Sequence, residues 1–260
     1  VALADQFGGL LIDLDGVVWI GREPVPGSAE ALRELLDAGK ELVFVTNNPT
    51  KPPNAYAKRL DEMGVKVAPQ RIVTAGMVAA RLAGEAAGEG GAFVIGAEPL
   101  KEMVTAAVGK VLDVEHGAEA SVVVVSGYRG FGFDELLAAK RALDGGAALV
   151  ATSRDPTMPM PGGEWPGTGA VLAAVETASG RTAEIAGKPE RHLFEMALKT
   201  IGDDGPVAMV GDRVSSDIAG GRDAGLATVL VLSGTTNAEE AASAEPRPDH
   251  VVADLAALLR

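Results

Sequence analysis

The chain has no cysteine among its 260 residues. Disulfides, thiolate nucleophiles and cysteine-held metals are excluded, and a reducing compartment such as the cytoplasm is the expected location. Aromatic residues are scarce, with two Trp, two Tyr and six Phe, so the core must be built mostly from aliphatic and small side chains. The three histidines, His116, His192 and His250, lack the spacing of metal ligands and read as surface or helix residues. Positive charge is also in deficit. Against 36 Asp and Glu stand 23 Lys and Arg, a formal charge of −13. Nucleic-acid and anionic-membrane partners need a basic face and are not expected. No apolar run approaches the ~20 residues of a membrane span. The stretch from Val1 to Gly9 lacks the basic-then-apolar order of a signal peptide. Two common catalytic signatures are missing as well. Gly187-Lys188 has neither the following Ser/Thr nor the upstream glycine of a P-loop, and no Gly-x-Ser-x-Gly surrounds Ser126 or Ser233.

What is present is a 47% hydrophobic chain, long enough for one large domain or two modest ones. Short β-rich runs occur at 10–14, 42–46, 72–74, 93–95, 121–125, 149–151, 208–210, 229–232 and 251–252. Amphipathic stretches between them predict helices at 54–63, 133–143, 171–178, 191–201 and 215–224. A further helix is expected from Ser28 as its cap, with Leu32, Leu35 and Leu36 inward and Gly39 as the stop. The Gly/Ala/Glu-rich stretch 84–91 reads as a connector. Strand–helix alternation, with strands apolar on both faces, predicts an α/β protein whose parallel sheet is covered by helices on both sides.

The most informative stretch is Leu10-Leu11-Ile12-Asp13-Leu14-Asp15-Gly16, a buried strand ending in two carboxylates. Residues two apart on a strand share a side, so Asp13 and Asp15 can converge beyond its carboxyl end, where open α/β sheets bind ligands. Asp-x-Asp-Gly also suits a turn or a surface calcium loop. Strand 42–45 ends in Thr46-Asn47-Asn48, a hydroxyl and amides suited to phosphoryl oxygens or simply to capping the next turn. Lys188 follows a short strand in Ile185-Ala186-Gly187-Lys188-Pro189. Val207-Ala208-Met209-Val210 runs into Gly211-Asp212-Arg213, with Asp217 one turn further on. Together the four elements offer carboxylates for a hard cation, a hydroxyl and amides for an anion, and one lysine for the remaining negative charge.

These four motifs, in this order, closely resemble those of the haloacid dehalogenase superfamily, and the resemblance covers essentially the whole chain. It implies a Rossmann-like core and a Mg²⁺-dependent phosphoryl-transfer enzyme. Asp13 then corresponds to the nucleophile that becomes an aspartyl phosphate. Asp15 corresponds to the acid that protonates the leaving alcohol and later the base that activates water. Mg²⁺ is expected on the carboxylates of Asp13 and Asp212 and the backbone carbonyl of Asp15. Thr46, Asn47 and Asn48 correspond to the phosphoryl-oxygen ligands, Lys188 to the charge-balancing ammonium, and Asp217 to a support behind the ligands. An acid two residues after the nucleophile favours phosphomonoester chemistry over dehalogenation. A phosphomutase, or a phospho-accepting signalling module without turnover, shares part of this set and stays an alternative.

Thr46 and Lys188 lie 142 residues apart, and the interval has its own strands and helices. In the superfamily an insertion here is a type C2 cap, which screens the leaving group. The expected domains are 1–87 and 182–260 for the core and 88–181 for the cap. Phe44-Val45-Thr46-Asn47-Asn48, Ala151-Thr152-Ser153-Arg154-Asp155-Pro156 and Pro166-Gly167-Thr168-Gly169 resemble subfamily IIA, the NagD and 4-nitrophenylphosphatase group. That group includes phosphoglycolate, glycerol-3-phosphate and pyridoxal-phosphate phosphatases. The resemblance thus implies a small phosphorylated metabolite as substrate: phosphoglycolate, glycerol phosphate, a nucleoside monophosphate or 4-nitrophenyl phosphate. Met158 replaces the His of pyridoxal-phosphate phosphatases, and Ser153 and Arg129 also depart from common residues of the group. Arg154 suits a substrate carboxylate or a solvated rim. Trp19 lines the core side of the pocket or packs beneath it. Relatives often pair through their caps, so the resemblance admits a homodimer paired through the cap, although no apolar stripe in the sequence marks it.

Overall fold

The computed structural model describes residues 2–160, 163–202 and 205–260. The chain divides into two compact units, one comprising Val1–Thr46, Pro53–Val73 and Lys188–Arg260, the other Asn47–Pro52 and Thr74–Gly187. The first unit is built on a six-stranded sheet. Its order is His250–Val252, Ala227–Val231, Val207–Gly211, Gly9–Asp13, Glu41–Thr46 and Ile72–Thr74. Gly9–Asp13 lies at its centre, parallel to Val207–Gly211 on one side and Glu41–Thr46 on the other. Every residue of that central strand is buried, which is why it reads as an unbroken apolar run. Leu10, Ile12, Phe44, Val210 and Val229 join Leu32, Leu35 and Leu60 of the covering helices in one core.

The second unit has its own parallel sheet, ordered Glu184–Ile185, Ala148–Ala151, Val122–Val125, Ala92–Ile95 and Val111–Leu112. A separate core of Phe93, Ile95, Val123, Val125, Leu143, Leu172 and Ile185 packs on it. The strand before Lys188 belongs to this sheet, and the chain returns to the first unit at Lys188 itself.

All nine expected strand runs form, within a residue or two of their predicted ends. Three helical details differ from the sequence reading. Ser28 is not the cap of its helix. The helix spans Ser28–Asp37 behind Gly27, whose φ of +79° makes the entry turn, and Ser28 Oγ is buried and donates to Val18 O at 2.9 Å. A helix occupies Ala75–Ala86, ending inside the stretch read as a connector, and another occupies Glu98–Val108. Gly76 and Gly84 hid the first, since mid-helix glycine is normally unfavourable. Here they allow close packing, because a Cβ on Gly76 would strike Met103 and one on Gly84 would press on the carbonyl of Ala107. Finally, the expected helix 215–224 opens with a π-turn at Val214–Ile218 before a short α-helix at Ala219–Asp223. Among the described residues no helix is long and apolar enough to cross a membrane.

Candidate active site

Three carboxylates meet at the carboxyl ends of the two central strands. Oxygens of Asp13, Asp212 and Asp217 all lie within 4.8 Å of one another, and all three residues are buried. Asp13 closes the strand Gly9–Asp13, and Asp212 follows Val207–Gly211. Asp217 is turned back by the π-turn, where its Oδ2 accepts from the Arg213 backbone N–H at 3.0 Å. A π-turn commonly marks a functional position in a helix. Room for the cluster comes from missing side chains. A Cβ on Gly16 or Gly234 would collide with the Asp212 carboxylate, and one on Gly211 with Asp217. Gly16 also needs its φ of +89°, which side chains rarely adopt. The Thr235 N–H donates to Asp212 Oδ2 at 2.6 Å and fixes its orientation.

Lys188 brings the positive charge. Its ammonium, 3% exposed, lies 2.6 Å from Asp13 Oδ1 and 2.6 Å from Asp217 Oδ1. Burial works to lower its pKa, but the carboxylates of Asp13 and Asp217 prevail and hold it above the usual lysine value. The acids respond in the opposite sense. Burial pushes Asp13 well above the ordinary carboxylate range, against the pull of Lys188 and with repulsion from Asp217, Asp212 and Asp15 adding to it. Asp212 is raised to about 6 by burial and by Asp217. Three carboxylates and one ammonium leave two uncompensated negative charges when all are ionised. An all-oxygen donor set of that charge fits a hard divalent cation such as Mg²⁺.

Asp15 stands apart from this trio. Its carboxylate has its own donors, accepting from the Trp19 indole Nε1–H at 3.1 Å through Oδ1 and from the Thr46 hydroxyl at 3.4 Å through Oδ2. Burial raises its pKa, with the Trp19 bond the largest opposing influence. Asp13 and Asp15 thus do different things: one is clamped by lysine among acids, the other held by neutral donors.

The remaining expected residues fall into two groups. Thr46 ends its strand, buried and bonded to Asp15. Asn47 donates from Nδ2 to Asp155 Oδ2 at 2.9 Å, while Asn48 Oδ1 accepts from the backbone N–H and hydroxyl of Thr50, serving its own turn. Arg154 forms a two-pronged ion pair with Glu176 at 2.8 and 2.9 Å, which ties it to the helix Thr168–Ser179. Arg129 lies over the Trp165 ring, 4.6 Å from its centre. The indole bond of Trp19 to Asp15 was not foreseen from the sequence. The only signal for it was the spacing of a Trp four residues after the second acid.

Sheet order, carboxylate cluster and buried lysine together match the arrangement that the resemblance to the haloacid dehalogenase superfamily implies. A profile of haloacid dehalogenase-like hydrolases matches residues 10–109, and a second, HAD-hydrolase-like, matches 185–258. The chain belongs to the haloacid dehalogenase superfamily, within its subfamily IIA. It is 39% identical to mouse chronophin over 254 residues, covering 92% of this chain and 87% of that one. Its fold superposes on glycerol phosphate phosphatase from Mycobacterium tuberculosis in complex with magnesium with a TM-score of 0.89. Identity there is 34%, and all of this chain and 78% of that one are covered. NagD from E. coli superposes with a TM-score of 0.83 at 30% identity, covering 96% of this chain and 98% of that one.

Proposed function

We propose that the chain is a magnesium-dependent phosphatase that hydrolyses small phosphomonoesters through an aspartyl phosphate on Asp13. The observation that carries this reading is the different surroundings of the two acids of Asp13-Leu14-Asp15. Asp13 lies in the cation-binding cluster under Lys188, and Asp15 is oriented by Trp19 and Thr46. Covalent catalysis splits a difficult displacement into two steps and needs a nucleophile with a separate proton carrier beside it.

In the first step an Asp13 carboxylate oxygen bonds to phosphorus as the bond to the leaving oxygen breaks, and Asp15 gives that oxygen its proton. In the second step Asp15 takes a proton from water, the water oxygen bonds to phosphorus, and the bond to Asp13 breaks. Inorganic phosphate leaves and Asp13 is regenerated. Lys188 holds Asp13 in place and offsets charge on the phosphoryl group, while Asp217 holds Lys188. Mg²⁺ would be held by Asp13, Asp212 and the backbone carbonyl of Asp15, and when bound it supplies charge stabilisation for the transferring phosphoryl group. Thr46 and Asn47, with Asn48, hold phosphoryl oxygens.

Magnesium in the complex of the M. tuberculosis relative, and the glycerol phosphate in that relative's name, support both the cofactor and the substrate class. Phosphoglycolate, glycerol phosphate, nucleoside monophosphates and 4-nitrophenyl phosphate are the candidates to try first. Residues 88–181, which lie wholly in the second unit, form the cap that screens them. The assembly is a homodimer paired through that cap, which light scattering tests. The setting is cytoplasmic, without nucleic-acid or membrane partners. Assaying these phosphates with Mg²⁺ should give free phosphate. Isomerised sugar phosphate with little free phosphate would make the chain a mutase, and a stable phosphoprotein without turnover would make it a receiver.

A further inference from the structure

We infer that Trp19 is a positioning residue for proton delivery, its indole N–H selecting which oxygen of Asp15 carries the proton. The inference rests on the reading of Asp15 as the acid. After Asp15 the chain makes one tight turn, with the N–H groups of Val18 and Trp19 both donating to Leu14 O, at 2.9 and 3.2 Å. The Gly16 N–H donates to Trp19 O at 2.7 Å, and Asp15 and Trp19 form an isolated bridge. The turn brings the Trp19 ring back over the acid, fully buried, with its Nε1 3.1 Å from Asp15 Oδ1.

An indole is a donor only. An oxygen already receiving its N–H is poorly placed to bear a proton, so the neutral acid carries its proton on Oδ2. That oxygen is the one 3.4 Å from the Thr46 hydroxyl, which donates to the carboxylate but, unlike an indole, can turn to accept once Oδ2 is protonated, at the strand end where the phosphoryl oxygens are expected. A carboxyl group that could spin freely would present its proton in that direction only part of the time.

Trp19 is itself held on three sides. Its ring stacks on Tyr56 at 6.3 Å with the planes 5° apart. The Arg59 guanidinium covers it at 3.9 Å, and Arg59 Nη2 donates to Gly21 O at 2.8 Å, pinning the small hairpin Trp19–Ile20 with Glu23–Pro24. Tyr56 and Arg59 both come from the helix Pro53–Glu62.

The test compares two leaving groups. Trp19→Phe keeps the stack and the cation contact but removes the donor. Since a positioned acid contributes roughly 10²–10⁴-fold, kcat for glycerol phosphate should fall about tenfold or more. Turnover of 4-nitrophenyl phosphate, whose leaving group scarcely needs a proton, should fall less than about threefold. Equal losses on both substrates would overturn the inference. Asp15→Asn is measured in parallel: a selective loss there without one in Trp19→Phe rejects Trp19 alone, whereas equal losses in Asp15→Asn reject the acid assignment itself. A spectroscopic readout covers a poorly folding Trp19→Phe. The chain has only two tryptophans, and the Trp19 indole N–H resonance should move upfield in Asp15→Ala while that of Trp165 stays. A Trp19 signal that does not move would contradict the hydrogen bond and with it the inference.

Discussion

Asp13, Asp212, Asp217 and Lys188 form a charge cluster in which each member depends on the others. Removing the lysine would leave buried carboxylates without a counter-charge, a defect worth about 3–5 kcal/mol. Lys188→Met should therefore lose both activity and stability, and chemical denaturation should show a lower midpoint that Mg²⁺ partly restores. An unchanged midpoint would mean that the acids do not face Lys188. A subtler test uses a residue with no functional group. Gly234→Ala drives a methyl group into the Asp212 carboxylate and its Cβ, so Asp212 must shift and Mg²⁺ activation should weaken. A magnesium titration of phosphatase activity reads this directly, and an unaltered half-saturation point would show that Asp212 is not a ligand. That Asp13, Asp212 and Lys188 stand at or just past strand ends was legible in the sequence, because the runs before them read as strands. The glycines around Asp212 and the indole bond of Trp19 were not, since both depend on loops meeting from distant parts of the chain.

Whole elements were read well wherever their apolar pattern was unbroken or one-sided and poorly where small residues carried the packing. The strands of the central sheet, apolar on both faces, could be nothing else. The helix Ala75–Ala86 gave no such contrast, because its buried positions run around most of its circumference and its glycines imitate a connector. Ser28 shows the limit of capping rules. Its hydroxyl does not serve its own helix but reaches Val18 O, a carbonyl in the turn that follows Asp15. Because the Val25 N–H also donates to that carbonyl, Ser28→Ala should cost only about 1 kcal/mol. Ser28→Asp, harmless at a true cap, should cost more because it buries a charge against a carbonyl. Thermal melts of the two variants decide it, and an aspartate variant as stable as wild type would restore the capping role.

For the molecule as a whole, the acid cluster links stability to pH and to the cation. Asp13, Asp15 and Asp212 have pKa values raised on folding, so the metal-free folded state keeps protons that the unfolded chain has released. Stability from this source is present below the ordinary carboxylate pKa and is lost as pH rises from there through about 6, the value reached by Asp212. A divalent cation held by the cluster would replace those protons as the pH rises. Saturating Mg²⁺ should then raise the melting temperature more at about pH 7.5 than at about pH 5, because only the ionised cluster binds it well. An equal rise at both values would place the ion elsewhere. The two-unit organisation was visible in the sequence as the long interval between Thr46 and Lys188. The share of the intervening chain that joins the second unit was not, because the strand before Lys188 pairs with the inserted sheet through backbone hydrogen bonds that leave no mark in the side-chain pattern.

The claim on which everything turns is that Asp13 becomes phosphorylated during turnover. Mixing enzyme, Mg²⁺ and 4-nitrophenyl phosphate, quenching in acid within the first turnover and mapping peptides by mass spectrometry tests it directly. One phosphoryl group is expected on the peptide containing Asp13, absent in Asp13→Asn, which should fold normally and release no phosphate. Phosphate release with that peptide unmodified at every quench time, or sustained turnover by Asp13→Asn, would contradict it.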